Sequence, residues 1–120
     1  SAASDVYKRQ VVHPAVAEDF ARWAERQQGP YVIEEAAILF ESGAYRQMDK
    51  VVTVTAPEPE RIRRTCLRDG VAPEAVRARM AAQIDEAERI ARADYVIRSG
   101  DEEPVLPKIL ELHGIFCRLR

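Results

Sequence analysis

Five of the six residues in Lys50-Val-Val-Thr-Val-Thr55 are β-branched, and this run constrains the fold more than any other stretch of the chain. Branching at Cβ stiffens χ1 and favours pleated backbone. The apolar character is continuous rather than alternating, which fits a strand of a parallel sheet covered on both faces. Such a strand needs neighbours and flanking helices from the rest of the 120 residues, a length that suffices for one well-cored domain.

Helical signals surround it. Pro14 suits a first helical turn, and Val16, Phe20 and Trp23 follow at i, i+4 and i+7, predicting an amphipathic helix from His13 to about Gln28, stopped by Gly29-Pro30. Tyr31 to Ile33 reads as a short strand that ends at Glu34-Glu35. A short helical piece follows over about Ala44 to Met48. Pro57 opens a helix to Arg68, closed by Asp69-Gly70; its apolar side is Ile62 and Leu67. Pro73 opens another, with Val76 and Met80 inward, and a third covers about Glu86 to Ala93. Asp94 to Ile97 is a strand, Ser99 to Glu103 a loop, and the last helix carries Leu106, Ile109, Leu110, His113 and Phe116 on one stripe. Three strands alternating with helices predict an α/β fold with a parallel sheet.

Composition narrows the function. The net charge is −2 and aromatic residues are 7% of the chain, which disfavours an RNA binder or a generic anionic-membrane binder. No apolar run has the length of a membrane span. Two cysteines, Cys66 and Cys117, make no disulfide framework and no CxxC, so a reduced, cytoplasmic setting is expected. His13 and His113 share no metal-ligand spacing with each other or with a cysteine, and no metal site is expected. The five glycines lie at least 14 residues apart, so neither GxxxxGK[ST] nor GxGxxG occurs.

Basic character is carried by 15 Arg against 3 Lys. Arg61, Arg64 and Arg68 fall at i, i+3 and i+7 on one helical face. Three planar guanidinium forks aligned this way, with Arg77 beyond the Asp69-Gly70 break, have the chemistry of a polyphosphate clamp. A solvated helix face explains the same spacing, and explains Arg63 best and Arg68 least. Glu34 and Glu35 end a strand, where α/β enzymes place acid/base or metal-organising carboxylates; a loop or capping role fits them equally.

Six blocks in fixed order carry a family resemblance: His13-Pro-Ala-Val16, Ile38-Leu-Phe-Glu-Ser-Gly43, Lys50-Val-Val-Thr-Val54, Arg64 through Arg68-Asp69-Gly70, Ala81-Ala-Gln83 and Ala93-Asp-Tyr-Val-Ile97. Together they resemble the dephospho-coenzyme A kinases from about Val11 to Phe116. The resemblance implies a P-loop NTPase-like parallel sheet flanked by helices, with a helical lid. It implies transfer of the ATP γ-phosphate to the ribose 3′-hydroxyl of dephospho-coenzyme A, with Mg²⁺ arriving as part of the ATP complex, and no nucleic-acid or membrane partner.

Carried over residue by residue, Arg68 and Glu35 are the candidate catalytic residues, Arg64, Gln83 and Ser99 face the nucleotide, and His13 and Phe40 lie on the acceptor side. Residues 11–28 would be the acceptor-side helix, 57–93 the lid region, and 94–120 the last strand and C-terminal helix. The family's phosphate-cradling loop has no counterpart in the chain. Residues 1–10 resemble a translated sequencing adapter and are expected to be a foreign leader to a domain cut short at its N-terminus, inactive by itself. The rival expectations are another kinase of the nucleoside-monophosphate type, with the same core and an Arg-rich lid, and a non-catalytic α/β interaction module.

Overall fold

The computed structural model describes residues 13–119; the expected leader over residues 1–10 lies outside them. The chain divides into two compact units, Ser1–Glu35 and Ala36–Arg120.

In the first unit, α1 spans His13–Glu25. It ends three residues before the expected stop, because Arg26 and Gln27 donate their N–H groups to the carbonyls of Trp23 and Ala24 at 3.1 Å, the i→i−3 pattern that tightens a last turn. Phe20 and Trp23 stack at 5.7 Å on the stripe read from the sequence. Tyr31 to Ile33 is not a strand. The run takes no part in the sheet found among the described residues, and Val32 and Ile33 are exposed. Apolarity alone does not make a strand; a neighbour's N–H and C=O groups do.

The second unit holds a two-stranded parallel sheet, not a three-stranded one. Its strands are β1 (Val52–Thr55) and β2 (Tyr95–Arg98), in register Val52↔Tyr95 to Thr55↔Arg98. Asp94 anchors the start: its Oδ2 accepts from the Val51 N–H at 2.8 Å, and its own N–H donates to the Val51 carbonyl at 2.9 Å. At the other end the Ser99 N–H donates to the Thr55 carbonyl at 2.7 Å. Between the strands run three helices, α2 (Glu58–Asp69), α3 (Pro73–Ala81) and α4 (Glu86–Arg92), and α5 (Leu106–Arg118) follows β2. A single 3₁₀ turn, Ala44–Gln47, precedes β1 behind Gly43, whose φ of +80° is open to glycine at no steric cost.

Burial differs from expectation in three places. The sheet face of Thr53 and Thr55 is buried, whereas Val54 on the other face is 55% exposed. On that face α5 sets Phe116 against Tyr95 at 5.5 Å, nearly perpendicular, at the Val52 end of the register; cover among the described residues stops short of Val54. On α2, Ile62 is buried but Leu67 is 80% exposed, since five residues turn a helix by about 140° past its inward face. On α5 the inward stripe is Leu112 and Phe116; Leu106, Ile109 and Leu110 are exposed, a face turned by about one residue from the one expected.

Candidate functional site

The carboxyl end of a parallel sheet is where α/β folds gather ligands. Here it is built by α2, which starts three residues after β1, and by the turn after β2. Arg64 donates from Nη2 to the Ser99 carbonyl at 2.8 Å and to Asp101 Oδ1 at 2.7 Å. Arg63 holds the other Asp101 oxygen. Glu60 accepts the Asp101 N–H at 3.0 Å, and Glu103 accepts the Gly100 N–H at 3.2 Å. Gly100 is buried and closely approached: a Cβ would lie 2.5 Å from Glu103 Oε1 and 3.2 Å from Pro57 Cδ, so a side chain there would displace the Glu103 carboxylate from the Gly100 N–H. The two guanidinium groups hold the Asp101 carboxyl below the usual carboxylate range, Arg64 contributing first. Arg64 and Ser99, expected on the nucleotide side, are thus brought together.

A second group sits at the far end of α2. Gly70, at φ +65°, caps the helix with its N–H on the Cys66 carbonyl at 2.9 Å, and the chain reverses into α3. Arg68 donates from Nε and Nη2 to the two oxygens of Asp69, at 2.9 and 3.2 Å. Arg79, on α3, donates from Nη1 to Asp69 Oδ2 at 2.8 Å. The hydrogen bond from Arg68, then that from Arg79, pulls the Asp69 carboxyl down to about 2, and the same contact raises the Arg68 guanidinium.

The expected three-arginine face separates at its heads. Arg61 turns to Glu86 on α4 at 2.8 Å, a carboxylate that also takes the Thr55 hydroxyl and Arg89. Equal spacing on a helix puts side chains on one face; the carboxylates facing them from other elements decide where long side chains end. Between α2 and α3 lies an open groove of about 620 Å³ whose lining includes Ile62, Cys66, Leu67, Pro73, Arg63 and Arg77. Arg68 is not part of that lining.

The other expected site residues stand apart from these groups. Phe40 is buried, 5.3 Å from Tyr45, with the Arg92 guanidinium over both rings at 4.6 and 4.7 Å. Gln83 is exposed in the turn after α3, its N–H on the Met80 carbonyl at 3.2 Å. His13, the first residue of α1, and Glu35, outside any helix or strand, are exposed and belong to the first unit. No group of three or more His, Cys, Asp or Glu is placed to hold a metal among the described residues, and no described helix is long and apolar enough to cross a membrane. The sequence reading missed Asp69, Asp101, Glu86 and Arg79 as members of these networks. The sign available was that the whole chain carries 20 acidic residues against 18 basic ones, but the pairings between elements run across 10 to 38 residues of chain.

Residues 4–103 match the family model described as "CoaE: Dephospho-CoA kinase". A dephospho-CoA kinase of Bacteroides fragilis is 37% identical over 103 residues, covering 85% of this chain and 50% of the relative. One of Leptospira interrogans is 42% identical over 91 residues, covering 75% and 44%. The chain therefore spans about half the length of the curated relatives it matches. The crystal structure of TT1252 from Thermus thermophilus matches with a TM-score of 0.81 at 30% identity, covering all of this chain and 62% of that one. The fold is of the P-loop kinase type, α/β with a parallel sheet.

Proposed function

Because the chain belongs to the dephospho-CoA kinase family, we propose that it serves transfer of the ATP γ-phosphoryl group to the ribose 3′-hydroxyl of dephospho-CoA, the last step of coenzyme A biosynthesis. The observation that carries this reading is the course of α2: it delivers Arg64 to the carboxyl end of β2 and leaves Arg68 exposed in its last turn, before the reversal into α3. Phosphoryl transfer demands in-line positioning and neutralised charge on the moving oxygens rather than covalent help.

Arg68 meets the transferred phosphoryl oxygens. Glu35 accepts or orients the acceptor hydroxyl. Arg64, Ser99 and Gln83 hold the nucleotide, and His13 serves the acceptor side. Phe40 serves it too, packed with Tyr45 and Arg92. Magnesium enters as MgATP, with oxygen ligands supplied largely by the phosphates and by water, as its hard, octahedral chemistry favours. The setting is the cytoplasm.

The test uses a chimera in which this chain replaces the matching half of the Bacteroides fragilis relative. ADP release that requires dephospho-CoA, with a product phosphorylated at the ribose 3′ position, supports the reading. Release driven equally well by a nucleoside monophosphate assigns the chain to a different small-molecule kinase and overturns it.

A further inference from the structure

Two guanidinium groups from different helices converge on one carboxylate in the α2–α3 hairpin. Arg68 grips both oxygens of Asp69, and Arg79 shares Oδ2 at 2.8 Å. The Asp69 side chain is the most enclosed of the three, 29% exposed against 73% for Arg68 and 52% for Arg79. The carboxylate fills the space between the forks while their outer sides face water. Asp69 is also the last residue of α2, where the backbone carbonyls make the local field negative and a carboxylate is electrostatically misplaced. Its position makes sense through the arginines it joins.

We propose that Arg68 and Arg79 together form an oxyanion site for the polyphosphate of ATP, and that Asp69 is its internal competitor, holding the two forks in register until a phosphate displaces it. The choice of ATP rests on the kinase reading; the two-arginine site rests on the hairpin geometry. A carboxylate offers two oxygens and one charge. A terminal phosphate offers three oxygens and nearly two charges, and accepts the same bidentate fork. Displacement is therefore an exchange in which each N–H lost from Asp69 is remade on the phosphate. Exposed ion pairs of this kind are weak enough to be exchanged. The site adds Arg79, which the i, i+3, i+7 spacing on α2 does not reveal.

The experiment titrates inorganic tripolyphosphate into the 120-residue chain at low salt. It compares the parent with Asp69→Asn, Arg79→Lys, the double variant, and Glu111→Gln, which removes the same charge from α5. Asp69→Asn should tighten binding by about two- to fivefold, the range set by releasing an exposed pair. Arg79→Lys, which keeps the charge and loses the fork, should weaken it, and the double variant should lose the gain. Glu111→Gln should leave binding unchanged. No gain in Asp69→Asn, an equal gain in Glu111→Gln, or a gain that survives in the double variant would each overturn the proposal.

Repeating the titration with ATP and with dephospho-CoA identifies the source of the phosphate. The gain should appear with ATP, and its appearance with dephospho-CoA alone overturns that assignment. A chimera without kinase turnover defeats the kinase reading while leaving a tripolyphosphate gain intact; an active chimera without the gain defeats only this proposal.

Discussion

Asp69 is a residue whose chemistry is set by its neighbours more than by its type. Its carboxyl titrates near 2 instead of the ordinary 3.8 because Arg68 and Arg79 favour the charged form. A depressed carboxyl contributes stability above its unfolded value and loses it as pH falls through the folded one. The Arg68–Asp69–Arg79 group should therefore stay intact from pH 7 down to about 4 and dissolve toward pH 2. A carbon-13 titration of the Asp69 carboxyl should give a midpoint near 2, moving up toward 3.8 in Arg79→Ala. A parent midpoint at the ordinary value would mean that the hairpin contacts do not persist in solution.

At the scale of elements, helix faces decide what each apolar residue is worth. Leu112 is buried on α5 and Leu67 is exposed on α2, so Leu112→Ala should cost about 2–5 kcal/mol and Leu67→Ala less than about 0.5 kcal/mol. Urea midpoints check this, and equal losses would contradict the placement of both helices. Glu86 links α4 to α2 and to β1 through Arg61 and Thr55. Glu86→Ala should cost about 1–3 kcal/mol, by stranding charge-assisted donors that are half-buried.

Much of this architecture was legible from local chemistry. Helix starts at Pro14 and Pro73, the stop at Gly70, and both parallel strands followed from backbone restriction and β-branching, which act within a few residues. The Tyr31–Ile33 strand was misread because a strand is completed by a partner that local sequence does not contain. The inward face of α5 was misread because Leu106, Ile109, Leu110 and Leu112 are all apolar, and which of them is buried is decided by what the helix packs against, as Phe116 packs on Tyr95. Arg64 reaches the Ser99 carbonyl across 35 residues of chain, whereas Arg61 of the same helical face is diverted by Glu86, 25 residues away.

At the scale of the whole molecule, the proposed function rests on a division of labour along α2. Its middle is fixed at the carboxyl end of the sheet by Arg64, and its last turn leaves Arg68 exposed to solvent. Arg63 also points to Asp101, but Arg64 holds that carboxylate without it. The central claim is that Arg68 acts on the phosphoryl group and Arg63 does not. The most direct measurement is kcat/KM for dephospho-CoA phosphorylation in the chimera, with thermal midpoints recorded alongside. Arg68→Ala should lower kcat/KM by about 10²- to 10³-fold, the usual loss of one charge-stabilising donor, with little change in the midpoint. Arg63→Ala should stay within about threefold of the parent, an effect worth less than 1 kcal/mol. Equal losses from the two substitutions, or an Arg68→Ala loss that merely tracks a fallen midpoint, would contradict the account.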